Sequence, residues 1–270
     1  MKNIGRLAAV CVIVSGGATI VSVLLMRTMS GGNVQPFTMP NEAGFKSAML
    51  WLELASTPEE VFQILGPPGS GKGRALRDNL NAANTYDYGF LVCYSLFNAF
   101  LIIFISHLNT YRFTGLIKLK TFLILGLILS CAMCIGDVVE NLAIADLTQA
   151  PVVEDVNEHA LQLLMYWTRV KWGSISLVCL MCSVGYTAYF RRIPPLLLPT
   201  GFAIAGISGL TAITLPDARF ILDAITVPHL ALVWSGAMVH AGVFAVKGPH
   251  RSLTPRYVPG AEDPSGDPIQ

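Results

Sequence analysis

The chain has 270 residues, of which 53% are apolar and only 13% charged, about half the charged share of an ordinary soluble domain. A soluble globular fold is therefore excluded, and the apolar residues gather in long runs, as a lipid solvent demands. Eighteen Lys and Arg against 17 Asp and Glu leave a net charge of +1, which excludes the markedly basic surface that nucleic acid requires.

In chain order, apolar runs of about 20 residues predict membrane-spanning helices over 7–26, 88–107, 119–142, 170–190, 196–215 and 220–246. The first follows Lys2 and Arg6, as a signal peptide would. Its apolar run is about twice as long as a signal peptide's, and no small-residue cleavage site follows, so it reads as a retained anchor. Cys11 follows Val10, too large for a lipoprotein cleavage site. The expected architecture is an all-α, six-transmembrane-helix bundle over residues 1–247, with 27–87 as a small helical extracytoplasmic cap. Residues 248–270, with Pro255, Pro259, Pro264 and Pro268, read as a disordered tail.

Orientation follows from the basic residues of the loops. Lys2, Arg6, Arg112, Lys118, Lys120, Arg191, Arg192, Lys247, Arg251 and Arg256 fall on one side, while the acidic connection from Asp146 to Arg169 and the segment 27–87 fall on the other. Both termini are expected in the cytoplasm.

Within the cap, 30–40 is rich in Gly and Pro and reads as linker. Thr57-Pro58-Glu59-Glu60 is a capping box: Thr57 accepts from the Glu60 backbone, Glu60 reaches back, and Pro58 sits where a missing N–H costs nothing. The helix should run to Leu65 and end at Gly66-Pro67-Pro68, with a second helix from Arg74 to Asn81. The apolar stretch Ala48 to Leu52 has to bury against the membrane surface or the helix tops. Gly66 to Gly73 resembles a phosphate-binding P-loop, but Gly73 stands where a Ser or Thr must hold magnesium and a helix stands where a strand is needed. No nucleotide is expected. A short amphipathic helix is expected within 149–166, through Leu161, Leu164 and Met165.

Ionisable residues in a span are costly, which singles out Asp137 and Glu140 in the third helix. With Asn141 they fall at i, i+3 and i+4, on one face. Asp137 lies about 27 Å along the span, near its outer end. Asp87, Arg169, Lys171, Asp223 and His229 reach the same outer region and complete the candidate polar cluster. Its structural reading is an ion pair of Asp137 and Glu140 with Arg169 or Lys171 that locks helices three and four, in which removing one partner strands the other. Its functional reading is an outward-facing pocket for a small polar ligand.

Cys131-x-x-Cys134 and Cys179-x-x-Cys182 lie on consecutive helices. Four thiolates would suffice for zinc, or one pair for exchange with a quinone, but mid-helix cysteines in hydrocarbon behave as small apolar residues, and packing is the expectation. No cofactor is expected. His229 and His240 sit about 16 Å apart along one helix, too far for one ion. Gly201, Ala205 and Gly209 form a small-residue ladder suited to close packing.

Glu53-Leu54-Ala55-x-Thr57-Pro58-Glu59-Glu60-Val61, Ile64-Leu65-Gly66, Asp87-Tyr88-x-Phe90 with Tyr94, and Asp137-x-x-Glu140-Asn141 together resemble an uncharacterised group of bacterial multi-pass inner-membrane proteins, over residues 48–142. The resemblance implies a bacterial inner membrane and brings forward Glu53, Asp87, Glu140 and Asn141 as a set; it carries no activity. The expected function is that of a non-enzymatic membrane protein, in contact with membrane lipids, that binds a small polar or amphipathic ligand or a membrane-protein partner at its outer face. A transporter needs a polar stripe through the full bilayer, which helices two and five lack. An intramembrane enzyme, either a metal-dependent lipid hydrolase or a thiol-quinone oxidoreductase, is the further alternative.

Overall fold

A computed structural model describes residues 2–29, 35–38, 44–110, 118–190 and 197–248. Within them the apolar runs and their capping residues give α1 Lys2–Met29, α2 Ala48–Glu53, α3 Pro58–Leu65, α4 Gly71–Leu108, α5 Leu119–Leu147, α6 Glu158–Tyr189, α7 Leu197–Thr214 and α8 Val227–Lys247, with no strand. Helices α1, α4, α5, α6, α7 and α8, the last extended by a π-helical turn at Leu222–Thr226, are each long and apolar enough to cross a membrane. The protein is a multi-pass, all-α bundle. Arg112, Arg191, Arg192, most of the predicted linker and the tail from residue 249 lie outside the described residues.

Two predicted short helices turn out to be the first turns of spanning ones. Residues 74–81 belong to α4, which runs unbroken for 38 residues, about 57 Å at 1.5 Å per residue and nearly twice the hydrocarbon thickness. The chain from Asn81 to Asp87 holds no Gly or Pro that would stop it. The amphipathic stretch through Leu161 and Leu164 likewise opens α6, which is capped by Asn157, whose side chain accepts from the His159 and Ala160 backbone. The upper turns of α4 therefore stand with α2 and α3 as a cap.

Local chemistry sets the cap helices. Thr57 Oγ1 accepts from Glu60 N at 3.2 Å as expected, whereas Glu60 Oε2 takes the backbone N–H of Ser56 instead of Thr57. Gly66 ends α3 at φ 68°, a left-handed conformation that strains any residue with a Cβ. Ser70 then caps α4 by accepting from Gly73 N at 2.9 Å, so the P-loop-like stretch serves as one helix's stop and the next one's start. Arg77 ties the cap down, donating to the Gly66 carbonyl at 2.8 Å and the Thr148 carbonyl at 2.7 Å.

The spanning helices close into a ring in sequence order, α1 against α4, then α5, α6, α7 and α8, with α8 back on α1. Small residues let the backbones approach. A Cβ on Gly136 of α5 would lie 3.1 Å from Lys171 N and from the Trp167 carbonyl oxygen of α6. The predicted ladder divides its contacts, Gly201 meeting Val233 of α8 and Gly209 meeting Ser176 of α6. Tyr94 stacks on Trp234, and Phe97 meets Trp234 at a tilt, between α4 and α8.

Candidate functional site

The carboxylates of α5 face inward because their spacing of three and four residues matches the helix period and the buried face carries Met133, Gly136 and Ile144. Opposite them stands Lys171 of α6. Its Nζ lies 3.2 Å from Asp137 Oδ1, pairs with Glu140 Oε1, and reaches Glu53 Oε2 of α2 at 3.1 Å. An ammonium has three N–H donors, and all three are taken.

Neutral donors complete the carboxylates. Tyr94 donates to Asp137 Oδ2 at 2.8 Å, Thr168 to Glu140 Oε2 at 2.5 Å, and Trp172 Nε1 to Glu53 Oε2 at 2.8 Å. Beside them Asn141 Nδ2 donates to Asp87 Oδ2 at 2.7 Å, while the Asn141 carbonyl accepts from Asn84. Lys171, Glu53, Asp137 and Glu140 are all at most 6% exposed. Three buried carboxylates thus share Lys171, with Asp87 beside them on Asn141, and formal charge is unbalanced.

The remaining candidates lie elsewhere. Arg169 is exposed and makes no ion pair with the cluster; two residues from Lys171 is about 200° around the helix, the opposite face. Asp223 accepts the backbone N–H groups of Lys46 and Ser47 at 2.8 and 3.0 Å, holding the start of α2. His229 Nδ1 contacts the Ile225 carbonyl at 2.8 Å on its own helix. Spacing alone did not single out Glu53, Thr168 or Trp172. Glu53 has a visible signal, an acid closing the otherwise apolar Ala48 to Leu52 run, and Lys171 shares the helical phase of Leu164 and Thr168.

Cys179 and Cys182 are buried, whereas Cys131 is exposed on the outside of α5. Among the described residues no group of three or more His, Cys, Asp or Glu is arranged to hold a metal ion, and Lys171 occupies the centre of the carboxylate cluster.

Beneath α2 the cluster opens into a cavity of about 500 Å³ between α1, α4 and α8. Glu53, Asp87, Asp137, Asn141 and Lys171 lie at its head. Its walls are largely apolar, from Ile20, Val23 and Leu24 of α1, Phe90 and Phe97 of α4, and Leu230, Trp234 and Met238 of α8, and also include Arg27 of α1 and Ser235 of α8. Ile20 and Leu24 are 47% and 57% exposed, and Ala231 and Ser235 of α8 are exposed too, so the cavity lining from α1 and α8 reaches the outer surface of the bundle. Comparison of the chain with family models, with curated proteins and with solved structures finds no match. Fold and site together define a helical, multi-pass membrane protein whose interior holds a polar cluster at the head of an apolar cavity.

Proposed function

We propose that the protein is a non-enzymatic ligand-binding protein of a bacterial inner membrane, with both termini in the cytoplasm, that admits a small amphipathic ligand from the outer leaflet. The observation that carries this reading is the cavity. Its volume of about 500 Å³ falls in the range of roughly 300–1,000 Å³ usual for small-molecule sites, which pair apolar walls with a few convergent polar groups. A head at the carboxylates and a tail between α1 and α8 match that division. The orientation is supported by Lys118, Lys120 and Lys247 at one end of the helices and by Asp146, Glu154, Asp155 and Glu158 at the other.

The test is mass spectrometry of the protein purified in a mild maltoside detergent. One amphipathic compound should remain bound to the wild type and to Val239→Trp, a lipid-facing site away from the cavity, but not to Ala231→Trp, which fills the mouth. Equal retention in both variants, or none in the wild type, would refute the binding reading. Alkaline phosphatase fused at Gly69 and Asp155 should be active and at Asn109 inactive; the reverse pattern would overturn the orientation.

A further inference from the structure

We infer that the head of this ligand is an ammonium group, a conclusion that rests on the cavity being a ligand site. Three of the four clustered carboxylates, Glu53, Asp87 and Asp137, line the cavity. The cation of the cluster has no donor left, since all three N–H groups of Lys171 are engaged with Glu53, Asp137 and Glu140. Among the described residues Asp87 accepts a single hydrogen bond, from Asn141, whereas a carboxylate offers about four acceptor positions. Unbalanced negative charge beside hydrocarbon is unfavourable, and a second cation entering the cavity reduces it.

The wall below those carboxylates is aromatic. Phe90 and Tyr94 have ring centroids 4.9 Å apart, and Tyr94 and Trp234 stack at 6.2 Å. Ring faces attract ammonium ions, most strongly where water is excluded. An anionic head meets three carboxylates there, and a neutral one leaves their charge unbalanced. The remaining lining is mostly hydrocarbon, with Thr19, Ser47, Ser235 and the exposed Arg27 among it, so the ligand class is an amphipathic amine, supplied either as a free long-chain amine or as a lipid with an ammonium headgroup.

The experiment measures thermal stabilisation in maltoside detergent by dodecylamine, dodecanol and dodecanoate, with lysophosphatidylethanolamine and lysophosphatidylglycerol as competitors. Dodecylamine should bind at least about tenfold tighter than dodecanol and lose about tenfold or more in Asp87→Asn, the scale of one charge-assisted hydrogen bond. That variant keeps an oxygen for Asn141, so its fold is preserved, and the comparison of probes on the wild type needs no variant at all. Competition by the ethanolamine lipid alone assigns the ammonium to a lipid headgroup; dodecylamine binding that neither lysolipid displaces assigns it to a free amine. Equal binding of amine and alcohol, with both blocked by Ala231→Trp, would overturn the ammonium and leave the cavity reading standing. Binding of no probe, or binding that Ala231→Trp leaves intact, would overturn both.

Discussion

Lys171 of α6 and Glu53 of α2 lie 118 positions apart in sequence and 3.1 Å apart in space. Through this pair the cap is fastened to the same cation that holds Asp137 and Glu140, so one side chain joins the roof of the cavity to the contact between α5 and α6. Asp223 and Arg219 fix the cap from the other flank, Arg219 donating to the Leu54 carbonyl at 2.6 Å and pairing with Glu60 at 3.0 Å.

Lys171→Met should be the most damaging change in the cluster, because it strands three buried carboxylates; breaking a buried pair this way costs about 3–5 kcal/mol. Asp137→Asn should fall within about 1 kcal/mol of the wild type or exceed it in stability, since it keeps an acceptor for Tyr94 and removes charge of the surplus sign. The pairwise logic in which loss of Glu140 strands its partner does not apply, for Lys171 keeps Glu53 and Asp137. Denaturation in detergent checks the order. Equal losses for the two variants would mean that the cluster carries no surplus charge.

Glu60 gives the cap a pH dependence. Burial raises its pKa, but hydrogen bonds from Arg219, Trp51 and the Ser56 backbone, together with the Arg219 charge, outweigh burial and hold the carboxyl below its usual range. A carboxylate depressed in the folded state stabilises above its unfolded pKa, and the contribution is lost as pH falls through the folded value. The cap should therefore loosen only below about pH 4. Proteolysis between α2 and α3 as a function of pH should show this in the wild type, and Glu60→Gln should be loose at every pH.

Gly206 and Gly17 should respond oppositely to alanine. A Cβ on Gly206 would lie 2.8 Å from the Ser176 carbonyl oxygen, whereas one on Gly17 meets nothing within 4 Å. Gly206→Ala forces α7 off α6 and should cost about 1–3 kcal/mol. Gly17→Ala should be neutral or stabilising by up to about 1 kcal/mol, through helix propensity alone. Thermal midpoints of the two variants decide it.

Arg77→Lys should loosen the cap although charge is conserved. The guanidinium reaches carbonyls on two different elements, Gly66 and Thr148, and a single ammonium on a shorter fork cannot span both in the same geometry. One buried carbonyl then loses its partner, at about 1–3 kcal/mol. Hydrogen exchange at the end of α3 should rise in this variant, and unchanged protection there would contradict the role.

What the sequence by itself determined is the part dictated by solvent and by local chemistry. Each spanning helix is legible because hydrocarbon admits only long apolar segments with satisfied backbones. The start and end of α3 are legible because Thr57, Pro58 and Gly66 act within one turn of themselves. Asp137, Glu140 and Asn141 could be placed on one face by counting. The choice of Lys171 over Arg169 required the rotation of α6 against α5, fixed by the close backbone contact at Gly136. That Glu53 joins the cluster, that Asp223 and His229 stay out of it, and that a cavity lies beneath the cap are relations among helices far apart in sequence. Only the tertiary structure decides them, because a periodicity states which face of a helix is apolar and never which neighbour that face will meet.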